Sequence, residues 1–179
     1  MNTLLGFTMN TSSILIRKIM LEEAAQLRDL RLASLQDTPD AFASSFEEEQ
    51  YWTAEFYAER QRAQPDNFIV GAFDGEHLVG MAGFFRERFR KTRHVGIVWG
   101  MYVAPDYRRR HLAEQMLTFL IDEARMVPGI EQLHLGVVST LSAAQALYEK
   151  CGFTLFGEEK NAMKDQEKYF SVLHYALFL

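Results

Sequence analysis

A chain of 179 residues, 48% hydrophobic and 24% charged, has the size and composition of one globular domain that buries about 70% of its unfolded surface without staples. Its net charge of −5 argues against a nucleic-acid partner, which calls for a basic face, and no apolar run reaches the roughly 20 residues of a membrane span. The single cysteine, Cys151, allows no internal disulfide and no cysteine pair for zinc, and reads as a small buried hydrophobe.

Residues 1–13 lack the basic start, long apolar centre and cleavage site of a signal peptide, so a cytoplasmic protein is expected. They read as a loose extension ahead of a single domain at 14–179. Residues 14–19 are β-branched and partly alternating, the pattern of a first strand. Leu21, Ala24, Leu27, Leu30 and Leu35 then recur at helical spacing, ending before Thr38-Pro39. A second helix is expected over 46–64, stopping before Pro65.

Two apolar runs at 67–73 and 77–85, joined through Asp74-Gly75, predict a hairpin, and 94–103 a further strand ending at Pro105. Ala113, Leu117, Leu120, Ala124 and Val127 step by four and three, an amphipathic helix closed by Pro128-Gly129. A strand at 133–138 follows. Ala144, Leu147, Tyr148 and Cys151 form another helical stripe, with Ser142 and Gln145 as a capping box and Gly152 as its stop. Two last strands fit 153–156 and 169–178. The order predicts an α/β (α+β) chain, a mixed sheet with helices packed on it.

Between 101 and 113 an apolar strand runs into the turn Arg108-Arg109-Arg110-His111, which opens a helix. A helix N-terminus exposes about four unpaired N–H groups and roughly half a positive charge, a ready phosphate site to which arginines add donors. Small Ala113 lets a ligand approach the first helical turn. The same residues could equally be a solvated basic loop.

This segment resembles the acyl-CoA signature of the GNAT superfamily of N-acetyltransferases, Val-x-Pro-x-x-Arg-Gly-x-Gly-x-Gly/Ala, with Val103, Pro105, Arg108 and Ala113 in place. Ala144, Leu147-Tyr148-Glu149-Lys150 and Gly152-Phe153 resemble the family's second motif, Asn-x-x-Ala-x-x-x-Tyr-Glu-Lys-x-Gly-Phe. Arg109 and His111 replace the two turn glycines, and Leu141 replaces the asparagine. The non-glycine residues fit if the backbone there is right-handed, because only left-handed positions favour glycine.

The resemblance implies a mostly antiparallel sheet flanked by about four helices, with acetyl-CoA and an amine-bearing acceptor as partners and no metal. It implies that backbone groups of Met101, Tyr102 and Val103 pair with the pantetheine arm. Amides of Arg109, Arg110, His111, Leu112 and Ala113, beside Arg108, would cradle the pyrophosphate. Tyr148 would stand near the thioester sulfur; a phenol with pKa about 10 stays protonated and can donate to the departing thiolate. Phe42, Phe46, Tyr51, Trp52 and Phe56 fall where the family builds its acceptor pocket, although they also suit the core face of a helix. Phe42, Phe46, Glu49 and Trp99 are the acceptor-site candidates.

A lysine-like acceptor, pKa near 10.4, must lose a proton before it attacks. The strand at 95–103 contains no acid or histidine, so the base is sought among Glu47, Glu48, Glu49, Asp165, Glu167 and His94. Two rival readings stay open: a silent acyl-CoA-binding sensor, and an RNA-associated protein using the basic turn. A homodimer is left open as well.

Overall fold

The computed structural model describes residues 14–62 and 66–179. The proposed extension at 1–13 and the last residues of the second predicted helix lie outside the described residues. Seven strands form one sheet in the order β1-β2-β3-β4-β5-β7-β6. They are β1 (Ile14–Lys18), β2 (Phe68–Asp74), β3 (His77–Arg86), β4 (Val95–Val103), β5 (Gln132–Val138), β6 (Thr154–Asp165) and β7 (Lys168–Phe178). Every pairing is antiparallel except β4 with β5.

A parallel pair needs a crossover, and α4 (Leu112–Arg125) supplies it. Its stripe of Met116, Leu117, Leu120, Ile121 and Ala124 is buried in one core with Val70, Ala72, Phe84 and Val98. Gly80 permits the close approach: a Cβ there would lie 2.9 Å from Met116 Cε. A second core holds α1 (Ala24–Asp37) and α3 (Ala54–Arg62), where Leu27, Leu30 and Tyr57 pack with Phe73, Met81 and Tyr102. The last helix, α5 (Ser142–Lys150), sets Tyr148 in the first core beside Phe153 and Tyr175.

The predicted helix at 46–64 is two pieces, α2 (Phe46–Glu49) and α3, parted at residues 50–53. Arg28 stabilises the break by donating to the carbonyls of Trp52 (2.7 Å) and Gln50 (3.1 Å). Thr53 Oγ1 then accepts from Phe56 N–H, starting α3 anew. The expected capping box on α5 is absent: Ser142 is already helical, and Leu141 holds the cap position with no side-chain bond. Gln145 donates instead to the carbonyl of Ser139, at 2.9 Å. The strand predicted at 153–156 starts one residue later and runs to Asp165, because β7 pairs with it almost throughout. Its outer half is polar apart from Ala162 and Met163, so no hydrophobic alternation announces it. Lys168 at the hairpin tip meets Asp40 at 2.5 Å.

Candidate active site

Strands β4 and β5 pair at three rungs only, Val95↔Gln132, Gly96↔Leu133 and Ile97↔His134. The next like-facing rung would join Trp99 to Gly136, and there the strands have parted. β4 stays bound to β3 on its other side, through Gly83↔Trp99 and Met81↔Tyr102. Between those two rungs β4 carries one residue more than β3, a bulge in which Gly100 adopts φ +65°. A bulge bends its strand, and this one turns β4 away from β5. The result is a V whose β4 edge exposes backbone groups to an incoming chain. One of them is committed: Arg108 Nε donates to the Val103 carbonyl at 3.0 Å.

The open end of the V meets the turn before α4. The first helical N–H to find a partner is that of Gln115, which donates to the His111 carbonyl at 3.0 Å. Backbone N–H groups of residues 109–114 have no acceptor among the described residues. Such an array binds phosphate. Arg109 (φ 60°) and His111 (φ 59°) are both left-handed, so the condition under which arginine and histidine would sit comfortably is not met. The turn holds two non-glycine residues in the left-handed region, at about 1–2 kcal/mol of strain per residue.

Neighbouring side chains hold that shape. Arg108 pairs with Asp37 at the end of α1 and lies 5.5 Å over the Tyr102 ring, whose hydroxyl donates to the same carboxylate at 3.2 Å. Arg110 donates to the Asp106 carbonyl at 2.9 Å and covers Tyr107, which in turn donates to Asp74 at 2.8 Å. Arg108 and Arg110 are thus struts, while Arg109 is exposed with no ion pair among the described residues.

On the α5 side of the sheet lies Tyr148, only 7% exposed, with Phe153 and Tyr175 rings 6.1 and 6.5 Å away. Its hydroxyl has no hydrogen-bond partner among the described residues and is not sealed from solvent. Burial pushes its pKa up to about 12, so it keeps its proton across the physiological range.

On the opposite face, a cleft of about 900 Å³ opens between the α1–α3 layer and strands β2–β4, with Gly136 in its lining. Phe42, Trp52, Phe84, Phe85, Ile97 and Trp99 make its apolar walls. Trp99 lies so close over Gly83 that a Cβ there would fall 2.2 Å from the indole. Phe46, expected here, is not in the lining, nor are Tyr51 and Phe56. Tyr57, Phe84 and Phe85 are, and nothing in their local sequence set them apart from ordinary core residues.

Glu49 forms the base of this wall, 3% exposed. Its carboxylate accepts from Arg31 Nε (3.0 Å) and Nη2 (2.8 Å), Ser44 Oγ (2.5 Å) and the Tyr57 hydroxyl (2.7 Å). Burial alone would raise its pKa, but these donors together hold it below the ordinary carboxylate value. A carboxylate so committed makes a poor proton acceptor. Glu48 is exposed and closes the α2 capping box, accepting from Ser45 N–H at 2.8 Å, and Glu47 is exposed. Asp165 and Glu167 are exposed at the β6–β7 tip. His94 precedes β4, six residues or about 20 Å of strand from Gly100. None of the six stands free at the mouth of the V.

The Acetyltransferase (GNAT) family profile matches residues 27–153. The chain belongs to the GNAT acetyltransferase family. Its sequence is 35% identical over 78 residues to the GCN5-related N-acetyltransferase 6, chloroplastic, of Arabidopsis thaliana; that match covers 44% of this chain and 27% of the relative. The chain thus spans about a quarter of that relative's length.

Solved structures share the GNAT fold at lower identity. A GNAT-family acetyltransferase from Streptococcus pneumoniae has a TM-score of 0.83 at 21% identity, covering 93% of this chain and all of that one. The yncA protein of Salmonella typhimurium, determined with its cofactor acetyl-CoA, gives 0.81 at 18%, covering 92% and 93%. A ribosomal-protein-alanine N-acetyltransferase from Brucella melitensis gives 0.76 at 22%, covering 92% and 99%.

Proposed function

We propose that this GNAT protein transfers the acetyl group of acetyl-CoA to a primary amine. The parting of β4 and β5 at Trp99 and Gly136 carries the reading. It joins an anion-binding turn, an unpaired strand edge, a protonated phenol and an apolar cleft in one place. Acetyl-CoA as co-substrate supplies an acyl carbon activated by a thiolate leaving group.

The unpaired N–H groups of residues 109–114 hold the pyrophosphate, and the free edge of β4 around Met101 and Tyr102 pairs with the pantetheine amides. Tyr148 donates its proton to the departing sulfur. The acceptor enters from the other face, past Phe42 and Trp99, and its neutral nitrogen attacks the carbonyl carbon.

Charge in the cleft favours one kind of amine. Glu48 and Glu49 are both committed, whereas the exposed Arg60 and Arg88 in the lining have no carboxylate partner among the described residues. A polycation would find no free carboxylate for its second ammonium. An amine with an apolar body and a carboxylate of its own fits better.

Thermal melts with acetyl-CoA, free coenzyme A and NAD, beside thiol release over an amine panel, test the reading. Acetyl-CoA at 100 times its dissociation constant adds about 2.7 kcal/mol of apparent stability. An unchanged melting temperature with both coenzyme A species refutes the cofactor assignment. Best turnover on spermidine-like amines refutes the acceptor class alone. Binding without turnover on any amine returns the silent-sensor reading.

A further inference from the structure

We propose that His174, oriented by Glu159, is the general base that takes the proton from the acceptor amine. This rests on the N-acetyl-transfer reading and deepens it, because none of the acids considered above stands free where the amine must arrive. His174 lies on β7 directly opposite Gly136 in the β5–β7 register. Gly136 lines the acceptor cleft and would form the next rung with Trp99 had β4 and β5 stayed together. Antiparallel partners point their side chains to the same face, so the imidazole stands on the cleft's face of the sheet.

Gly136 has no side chain of its own to cover the ring. A Cβ there would lie 3.0 Å from Val172 Cγ1, 3.8 Å from His174 Nδ1 and 3.9 Å from Cε1, so the ring edge borders Gly136 beside the Val172 methyl. On its far side, Nε2 is 3.3 Å from Glu159 Oε2 on β6. A carboxylate can only accept, so this contact puts the proton on Nε2 and leaves the Nδ1 lone pair facing Gly136. Tyr148 lies on the other face of the sheet, which separates acid from base across the thioester.

The proton balance is complete. The ammonium gives one proton to His174 Nδ1, directly or through one water, and the neutral nitrogen forms the C–N bond. The C–S bond breaks as Tyr148 protonates the sulfur. The nitrogen sheds a second proton on collapse, which replaces the one Tyr148 gave, and His174 releases its own to solvent. One amide, one thiol and one proton result.

Other charged groups near the imidazole are few. His134 on β5 is two residues from Gly136 and contacts Gln132 at 3.3 Å. Burial, then His94 and His174, lower its basicity, against an opposite pull from Glu87. It sits at the last closed rung, opposite Ile97, one step short of the opening. Glu159 is the one carboxylate in contact with His174 among the described residues.

The experiment compares the parent with His174→Gln, Glu159→Gln and His134→Gln in acetyl-CoA affinity, and in thiol release with the best amine from pH 5.5 to 9.5. His174→Gln is expected to bind acetyl-CoA like the parent and to lose about 100-fold in rate at pH 7. The gap should narrow as pH approaches the amine's own pKa. Glu159→Gln should lower kcat by about 10-fold with KM and acetyl-CoA affinity unchanged, because the ring is no longer held in one orientation, and His134→Gln should keep the parent's rate. These two outcomes remain readable even if His174→Gln does not fold. Parent-like rate and pH profile in His174→Gln, or an unchanged kcat in Glu159→Gln, overturns the assignment while leaving the transfer reading intact. A parent that binds acetyl-CoA but acetylates no amine overturns both.

Discussion

Replacing Arg109 by glycine removes a Cβ from a left-handed backbone position, φ 60°, where it crowds the following carbonyl. The relief is about 1–2 kcal/mol. Against it stands the larger entropy that glycine loses on folding, about 0.5–1 kcal/mol. The net gain is about 0.5–1 kcal/mol, which for a chain of this length raises the melting temperature by about 2 °C. The side chain takes nothing with it, since it has no ion pair among the described residues.

Arg109→Ala is the decisive control. It keeps the Cβ and therefore the strain, but removes the charge from between Arg108 and Arg110. Melting curves without ligand should rank Arg109→Gly above both the parent and Arg109→Ala. A titration should find acetyl-CoA affinity unchanged in the glycine variant, because the backbone N–H groups remain. His111→Gly, at φ 59°, should add a similar increment, with the sum as an upper bound because both residues share one turn. An equal gain from Arg109→Ala would show that repulsion among the arginines, not backbone strain, is what was relieved. A glycine variant melting below the parent would refute the reasoning outright.

Tyr148→Phe keeps the ring and its packing but removes the proton donor. Thiol release should fall by about 100-fold, the lower end for positioned proton transfer because a thiolate leaves fairly well unaided, with acetyl-CoA affinity unchanged. Glu49→Gln leaves the buried Arg31 guanidinium without its counter-charge and should cost about 3 kcal/mol in a denaturant titration at pH 7. The sign with pH follows from its lowered pKa. Stability from the Glu49 carboxylate is fully present above its unfolded value, near 4.5, and is lost as pH falls through the lower folded value. The variant should therefore show a flatter acid limb below about pH 5 than the parent; limbs of equal slope would contradict this.

Much of the fold is legible because its signals are local. The stripe Ala113, Leu117, Leu120, Ala124 declares α4 at a period of 3.6, and the apolar runs around Asp74-Gly75 declare a hairpin. The candidate site is legible where it too is local. Residues 103–113 form a contiguous strand–turn–helix, and Tyr148 lies in the stripe of a single helix. The break between α2 and α3 escaped the sequence, since Arg28 from another helix stabilises it. So did the long β6, whose polar outer half is held by pairing rather than by burial.

The sequence by itself determines the order of the strands and helices and the family to which they belong, and it marks those segments whose apolar pattern is local. Where the cleft opens, and what chemistry faces it, is decided by tertiary structure alone. Three consecutive glutamates look alike in sequence, yet Glu47 is exposed, Glu48 caps a helix and Glu49 is buried under four hydrogen bonds. The left-handed turn at Arg109 and His111 follows Tyr107 and Arg108, which are tied to Asp74 and Asp37, distant in sequence. Gly136 and His174 stand 38 positions apart and become neighbours only because β7 inserts between β5 and β6. Periodicity records which face of an element is apolar; it carries no record of which other element will lie against that face.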